Sequence, residues 1–325
     1  MNIGIIGAGL ITKTMAETIK NVDYATNYAI ASRDINKAIE YQKEYGFIKA
    51  YGSYEELVLD NNIELVYIAT PHSHHYEHAM LALKHNKHVL VEKAFCANSK
   101  QAIELIEYAN KKGLFIAEAI WTRYLPTRQI LIDTINSGII GNVTSLNANL
   151  GYKIDHIDRI INPNLAGGAL LDVGVYPLNF ASMIFGNDII DIQTSCVKNE
   201  LGVDLRNSTI LTYKDGKQAT LSSNASAISD QYGVIHGDKG YIVAHKINNI
   251  DKIEVFDNNR NLISTPVIPK QITGFEYQLK ECINCINNKQ TETKLMTHNE
   301  TILMMKLYDH LRNIWGIKYP FEITT

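Results

Sequence analysis

The pattern of apolar and polar residues divides the chain into two regions. In the first region, short apolar runs alternate with segments of helical period, and Ile63–Thr70 (IELVYIAT) is almost continuously apolar, like a buried parallel strand. The pattern predicts strands at 2–6, 27–32, 63–70, 88–91 and 114–119, and helices at 11–21, 34–45, from 53 onward, at 74–85 and at 99–113. Strands and helices that alternate in this way form a doubly wound parallel sheet, so we predict an α/β Rossmann domain over residues 1–120.

The second region carries longer alternating runs, which are typical of antiparallel strands with one buried face. They lie at 142–154, 189–198, 208–213, 217–226, 232–244 and 252–257. Helical patterns occupy 126–137, 168–185, 274–288 and 298–315. We therefore predict an α+β domain over residues 121–325, with a large, mostly antiparallel open sheet. Of the segments in this region, the last helix, 298–315, is the one that can pack against the first domain.

Composition narrows the class of protein. At 325 residues, with 46% hydrophobic and 20% charged residues, the chain has the composition of a folded two-domain protein. The net charge of −3 argues against nucleic acid or a membrane surface as a partner. No signal peptide precedes the first strand and no window approaches the ~20 apolar residues of a membrane span, so we expect a cytoplasmic protein. Cys282 and Cys285 form a C-x-x-C without a second pair, which favours free thiols over a zinc or redox site.

The first strand ends in Gly7-Ala8-Gly9, and a helix follows at once. Gly7 suits a tight turn, and Gly9 lets a pyrophosphate approach the backbone. The helix N-terminus at Leu10 and Ile11 then offers N–H groups and a positive dipole to the anion. Thr12 stands where the usual G-x-G-x-x-G has its third glycine. The arrangement predicts a dinucleotide site, against the alternative of a plain turn.

The second strand ends in Ala31-Ser32-Arg33-Asp34, where such folds choose their cofactor. Ser32 can hydrogen-bond the 2′-phosphate of NADP, and Arg33 can pair with that phosphate or stack on adenine. Asp34 would suit the ribose of NAD, but as a helix cap it already has a structural task. We expect NADP(H), with NAD(H) as the alternative.

The predicted strand 63–70 leads into Thr70-Pro71-His72, a loop that lies beside the dinucleotide in doubly wound sheets. We predict that these three residues line the nicotinamide ribose. His74 and His78 share a helical face, as zinc-binding histidines do, but the spacing is not that of H-E-x-x-H and no third ligand is evident. We favour solvated or capping histidines and predict no metal site.

Two further segments carry groups that can act on a hydroxyl. Lys93 follows the predicted strand 88–91, where it would meet a bound substrate and where partial burial and a cationic nicotinamide would lower its pKa. Asp172 and Tyr176 lie four residues apart on a helix with a glycine-rich start, so that a carboxylate and a phenol could grip a polyol hydroxyl and pass its proton. The alternatives are a surface lysine paired with Glu92 and an aspartate that only faces the positive end of a helix.

The motifs together resemble the Gfo/Idh/MocA oxidoreductases, named for glucose-fructose oxidoreductase and inositol dehydrogenase. Within that family they resemble the dihydrodiol-dehydrogenase-like members most. The resemblance covers nearly the whole chain and rests on the order and spacing of short motifs. These are Gly7-Ala8-Gly9, Ala69-Thr70-Pro71-His72 with His75, Glu92-Lys93, Ala117–Tyr124 (AEAIWTRY) and Gly167–Pro177 (GGALLDVGVYP).

The resemblance implies that Lys93 and Tyr176 act on the reacting hydroxyl, with Asp172 in support. It also implies that Trp121 and Arg123 face the substrate, with a domain-hinge anchor as the alternative.

His75 and Glu92 join Lys93 among the cofactor contacts that the resemblance implies. The usual Glu-Lys-Pro of the family is here Glu92-Lys93-Ala94, and the loss of proline removes a constraint on the placement of the lysine.

We therefore expect an oxidoreductase that transfers a hydride between nicotinamide C4 and a secondary alcohol or carbonyl of a sugar, cyclitol or related diol. By family analogy the domain over residues 121–325 binds the substrate and serves oligomerisation, so that the protein forms a homodimer or homotetramer through its open sheet. The alternatives are a non-catalytic regulator that senses dinucleotide or sugar and, more distantly, a metal-dependent hydrolase.

Overall fold

A computed structural model describes residues 1–322 of the chain. Its strands are β1 (Asn2–Ile6), β2 (Thr26–Ala31), β3 (Lys49–Tyr51), β4 (Leu65–Ile68), β5 (His88–Glu92), β6 (Ile116–Ala119), β7 (Val143–Gly151), β8 (Ile189–Lys198), β9 (Asp204–Tyr213), β10 (Gln218–Asn224), β11 (Gly233–Gly237), β12 (Gly240–His245), β13 (Lys252–Asp257) and β14 (Leu262–Ser264). Its α-helices are α1 (Leu10–Lys20), α2 (Ile35–Tyr45), α3 (Tyr54–Leu59), α4 (His75–Lys84), α5 (Ser99–Lys112), α6 (Pro126–Asn136), α7 (Asp158–Ile161), α8 (Val175–Phe185), α9 (Phe275–Asn287) and α10 (His298–Trp315).

Strands β1 to β6 form a parallel sheet in the order β3-β2-β1-β4-β5-β6. The order reverses beside β1, and doubly wound sheets bind their ligands at this switch point. Helix ends follow the signals in the sequence: the side chains of Asp34 and Ser53 cap α2 and α3, and Gly113 ends α5 with a φ of 65°. The predicted α/β Rossmann domain is confirmed.

Strands β7 to β14 form a second sheet in the order β14-β13-β12-β11-β7-β10-β9-β8. Its neighbours are antiparallel except for β7 and β10, which pair in parallel. Along β7 the side chains alternate, with Leu146, Ala148 and Leu150 buried, and α8 packs against β7 and β10. The predicted, mostly antiparallel sheet is confirmed.

The chain folds as two compact units. The first contains Met1–Tyr124 and Gln271–Lys306, and the second contains Leu125–Lys270 and the chain from Leu307 onward. Helix α9 belongs to the first unit because its apolar face joins the core of the parallel sheet. The predicted limits of 1–120 and 121–325 place residues 271–306 differently, and as functional domains they stay a prediction.

The structure also describes an apolar segment and the cysteines. Pro163–Phe185 is long and apolar enough to cross a membrane, but 83% of its most apolar window is buried inside the protein, as expected of a core helix. The four cysteines, Cys96, Cys196, Cys282 and Cys285, are all unpaired, as predicted.

Candidate active site

The turn after β1 has a geometry that suits a dinucleotide. Gly7 has a φ of 104°, and a Cβ there would lie 2.8 Å from the Ala69 carbonyl oxygen. A Cβ on Gly9 would meet only that same oxygen, at 3.8 Å. Within residues 1–322, no side chain caps α1 and its first turn holds no acidic residue, so its N–H groups can serve an anion.

Helix α1 begins with the predicted cofactor residues Leu10 and Ile11. Thr12 follows, fully buried, and its hydroxyl donates to the Gly7 carbonyl oxygen at 2.7 Å. The residue that replaces the third glycine of the motif therefore closes the turn itself.

Strand β2 ends beside this turn, since the Gly7 N–H donates to the Ala31 carbonyl at 3.0 Å. The Asp34 carboxylate accepts from the Asn36 N–H at 2.9 Å and so caps α2. The Ser32 hydroxyl oxygen accepts from the Asp34 N–H at 3.2 Å. The one carboxylate at the end of β2 is thus held by its own helix.

Arg33 lines a pocket of about 350 Å³ in the first unit. The pocket also contains the predicted cofactor residues Thr70 and Pro71. Its remaining lining residues are Gly52, Ser53, Tyr54, Glu55, His74, Glu77 and His78. Together the glycine turn, the start of α1 and this pocket fit a dinucleotide at the switch point of the sheet.

His75 joins the loops that follow β4 and β5. Its Nδ1 lies 2.8 Å from the Ala94 carbonyl oxygen and its Nε2 lies 2.7 Å from the Thr70 carbonyl oxygen. Burial lowers the pKa of His75 to about 4, against the effect of these carbonyl contacts. The neighbouring His72 is also buried, with its ring 5.6 Å from that of His75. Cofactor contact by either histidine stays a prediction. The neutral imidazole has one N–H and so donates to one of the two carbonyls, while its ring lies between the two loops.

Lys93 follows β5, at the same edge of the parallel sheet as the glycine turn. Its backbone N–H donates to the Glu92 carboxylate at 3.3 Å, and the Tyr67 hydroxyl donates to the other oxygen of that carboxylate. The Lys93–Ala94 peptide bond is cis. Because Glu92 is buried, its contact with the Lys93 backbone anchors the start of this turn to the sheet.

Trp121 and Arg123 follow β6 in the first unit. The Trp121 ring centroid lies 4.9 Å from that of Phe275, at the start of α9. Arg123 is 4% exposed, and its Nη2 lies 2.5 Å from Glu300 Oε1 in α10. These contacts tie the segment after β6 to the starts of α9 and α10 within the first unit. Contact of either residue with substrate stays a prediction.

The glycine pair before α8 is required by packing within the second unit. A Cβ on Gly167 would lie 2.7 Å from the Ile160 carbonyl oxygen. Gly168 has a φ of 124°, and a Cβ there would lie 2.4 Å from an Asp204 carboxylate oxygen. The pair therefore lets the start of this helix approach α7 and β9.

Asp204 supports that helix start and is a residue that the sequence pattern did not reveal. Its carboxylate accepts from the Leu170 N–H at 2.9 Å and from the Asn207 side-chain amide at 2.8 Å. Burial raises the pKa of Asp204 to about 6, against these two hydrogen bonds.

Asp172 and Tyr176 follow the glycine pair, Asp172 in a π-helical turn over Leu170–Gly174 and Tyr176 in α8. Both side chains are buried. Arg159 of α7 donates to the Asp172 carboxylate at 2.6 Å and is itself 42% exposed. This ion pair fixes the orientation of the carboxylate that is predicted to support Tyr176. Arg159 was not predicted, because a single helical turn leaves no periodic signal.

The histidines of α4 contribute to the wall of the pocket. His78 Nδ1 lies 3.0 Å from the Thr70 hydroxyl and its Nε2 lies 3.2 Å from Glu77. Burial is the main cause that lowers the pKa of His78 to about 4, with smaller effects from neighbouring cations. Over residues 1–322, no group of three or more His, Cys, Asp or Glu side chains is arranged to hold a metal ion.

Comparison with known proteins places this geometry in context. Residues 1–119 match the family described as "Oxidoreductase family, NAD-binding Rossmann fold", and residues 129–243 match "GFO/IDH/MocA C-terminal domain". The chain is 30% identical to trans-1,2-dihydrobenzene-1,2-diol dehydrogenase of Mus musculus, over 98% of this chain and 97% of that protein. It is 31% identical to the enzyme of the same name from Xenopus tropicalis, over 98% of each chain.

Solved structures share the fold. A 3-ketoreductase from Actinomadura kijaniata, in complex with NADP and TDP-benzene, has a TM-score of 0.88 at 21% identity, over 96% of this chain and 97% of that one. Levoglucosan dehydrogenase, in complex with NADH and levoglucosan, has a TM-score of 0.85 at 17% identity, over 97% of each chain.

The parallel sheet, its glycine turn and these relatives define a nicotinamide-dinucleotide-dependent oxidoreductase. The chain belongs to the Gfo/Idh/MocA family. The predicted family, fold class and enzyme class are thereby confirmed, and so is an NAD(P) cofactor.

Proposed function

We propose that this chain interconverts a secondary alcohol and the corresponding carbonyl on a sugar, cyclitol or related diol, with NADP(H) as the preferred cofactor. The single observation that carries the proposal is the position of Lys93. It follows β5 at the same sheet edge as the Gly7–Gly9 turn and the Arg33 pocket. The curated relatives act on a dihydrodiol by name, and levoglucosan dehydrogenase, which has the same fold, is solved with levoglucosan and with L-sorbose, which supports a polyhydroxylated substrate.

The preference for NADP(H) rests on the end of β2. Asp34 already accepts a hydrogen bond as the cap of α2, so it is poorly placed to read a ribose hydroxyl. Arg33 lines the neighbouring pocket and Ser32 precedes it, so a guanidinium and a hydroxyl are present for a 2′-phosphate. The remaining residues proposed to hold the dinucleotide are Gly7, Gly9, Leu10, Ile11, Thr70, Pro71, His72, His75 and Glu92.

When bound, the dinucleotide supplies the hydride and accepts it back. The protein orients the substrate and moves a proton: the amine of Lys93, assisted by the phenol of Tyr176, takes the proton of the substrate hydroxyl during oxidation and returns it during reduction. Asp172, held by Arg159, orients Tyr176 and binds a substrate hydroxyl. Trp121 and Arg123 are proposed to bound the substrate site.

We further propose a cytoplasmic protein that works as a homodimer or homotetramer. The second sheet supports self-association, because on β9 and β10 its outer face carries exposed residues, among them Ser208, Ile210 and Thr220. Light scattering of the purified protein would test this, and a monomer at micromolar concentration would overturn it.

The function is tested by turnover. The purified protein is assayed by absorbance of the reduced nicotinamide, with NADPH and with NADH, against a panel of diols, cyclitols and sugars and their keto forms. We expect turnover with at least one member of the panel and a higher kcat/KM with NADPH. Lys93→Met should lower kcat by about 10²–10⁴-fold, whereas Lys100→Met, an exposed lysine on α5, should not.

Binding of NADPH without turnover of any member of the panel would instead favour the regulator. A higher kcat/KM with NADH would overturn the cofactor preference alone.

A further inference from the structure

A cluster of three acid groups in the first unit adjoins the turn that carries Lys93; two of them are buried, and the side chain of Glu300 is 19% exposed. Glu92 ends β5, Glu118 lies in β6 and Glu300 lies in α10. Glu92 and Glu118 are 6% and 1% exposed. The buried guanidinium of Arg123 contacts Glu300 at 2.5 Å and interacts electrostatically with Glu118. An ionised carboxylate in such a place needs a counter-charge or several hydrogen-bond donors.

The three carboxyl groups differ in what compensates them. Glu300 has the ion pair with Arg123, and Glu92 accepts from the Tyr67 hydroxyl and the Lys93 N–H. Glu118 accepts from one backbone N–H, that of Phe95, at 3.2 Å through Oε1. Its Oε2 is enclosed and has no hydrogen-bond partner among residues 1–322. Glu118 is therefore the member of the cluster for which the neutral acid is the favoured form.

Glu118 also completes a set of contacts along the Lys93 turn. The Lys93 N–H donates to Glu92, the Ala94 carbonyl oxygen lies 2.8 Å from a ring nitrogen of His75, and the Phe95 N–H donates to Glu118. Three successive residues are thus each held by one buried ionisable side chain.

We propose that Glu118 is a positioning residue for Lys93: as a neutral acid it holds the turn through Phe95, and its ionisation adds a negative charge against the turn that carries the amine. This inference rests on the proposed role of Lys93 in proton transfer. A negative charge nearby raises the pKa of an amine, so ionised Glu118 makes Lys93 a weaker general acid.

Burial and the charges around Glu118 together determine its pKa. Burial raises its pKa to about 7; Arg123 and the Phe95 N–H oppose this, while Glu92 and Glu300 add to it. The titratable or charged groups around Glu118 are Glu92 from β5, Cys96 from the loop after β5, Arg123 and Tyr124 from the segment after β6, and Glu300 from α10.

The test combines a direct titration with kinetics. Infrared difference spectra are recorded in an Asp204→Asn background, because the buried carboxyl of Asp204, whose pKa is raised to about 6, would otherwise titrate in the same range. Between pH 6 and pH 8 they should show a protonated carboxyl band that disappears as the pH rises. The band should be absent from Glu118→Gln and retained in the control Glu107→Gln, which changes an exposed glutamate of α5. Over the same range, kcat for carbonyl reduction should fall by about threefold to tenfold in the wild type and in the control, but not in Glu118→Gln.

Glu118→Ala should lower kcat at pH 6 by about tenfold or more, with little change in KM for the dinucleotide. If that variant does not fold, the Gln variant decides. A Gln variant that keeps the band or the pH dependence would overturn the proposal. Turnover without a titrating band would overturn the role of Glu118 alone, whereas a titrating band without turnover of any substrate would overturn the role of Lys93 on which it rests.

Discussion

Asp204 makes the helix start of the second unit sensitive to pH. Its buried carboxylate accepts from the Leu170 N–H and from Asn207, just before the helix that carries Tyr176. The substitution Asp204→Asn keeps an acceptor for the Leu170 N–H and removes the titration. Comparing the variant with the wild type therefore isolates the free-energy contribution of one proton.

The magnitude follows from the pKa of Asp204, which burial raises from 3.8 to about 6. An unfolded chain loses this proton at lower pH than the folded one. The stability that the group contributes is fully present below pH 3.8 and is lost as the pH rises through about 6. The difference between the pKa values of Asp204 in the folded and unfolded chain corresponds to about 3 kcal/mol of stability, at about 1.36 kcal/mol per pKa unit. Of this stability, about 1.5 kcal/mol is lost between pH 5 and pH 8.

Tryptophan fluorescence can report on the second unit alone. The chain has two tryptophans, and Trp121→Phe leaves Trp315, which lies in the second unit and is 8% exposed. In this background, urea unfolding at pH 5 and pH 8 should show the free energy of unfolding falling by about 1.5 kcal/mol more with Asp204 than with Asn at this position. Asp191→Asn, at an exposed position of β8, serves as the control. Parallel pH dependence of the wild type and the Asp204→Asn variant would refute the reasoning.

Three further substitutions test other parts of the site. Arg33→Ala should raise KM for NADPH by about 10- to 100-fold and leave KM for NADH nearly unchanged. An equal rise in KM for both cofactors would show that the guanidinium does not recognise the 2′-phosphate. Arg159→Met should lower kcat more than it changes KM, and Arg159→Lys should recover part of the loss in steady-state assays; no difference between Met and Lys would argue against the ion pair with Asp172. His75→Leu removes the donor of one buried carbonyl and should cost about 1–3 kcal/mol in urea unfolding, followed by Trp121 fluorescence in a Trp315→Phe background; an unchanged midpoint would show that this hydrogen bond does not stabilise the first unit.

Much of the fold was predictable because its long elements keep one period throughout. The predicted limits 189–198, 252–257 and 298–315 coincide with β8, β13 and α10. The elements that were not predicted, β3, α7 and β14, have only three or four residues, which is too short for a period to show. Glycines split the predicted run 232–244 into the hairpin of β11 and β12.

The candidate site was predictable only for residues whose place at the end of a strand can be recognised in the sequence. Gly7, Arg33 and Lys93 stand at the ends of strands, and parallel strands bring such ends to one edge of a sheet. Asp204 and Glu118 act through contacts with residues 34 and 23 positions away in sequence. In sequence each is only an acidic residue in a strand, and its role depends on tertiary packing that no local pattern encodes.

The central claim is that Lys93 and Tyr176 act on the same substrate hydroxyl, and a double-mutant cycle tests it most directly. The rate of hydride transfer is measured in single turnovers with NADPH for the wild type, Lys93→Met, Tyr176→Phe and the double variant. Groups that act as a unit are non-additive, so the double variant should be little slower than the slower single variant. Losses that simply multiply would mean that the two side chains act independently, and this would contradict the account.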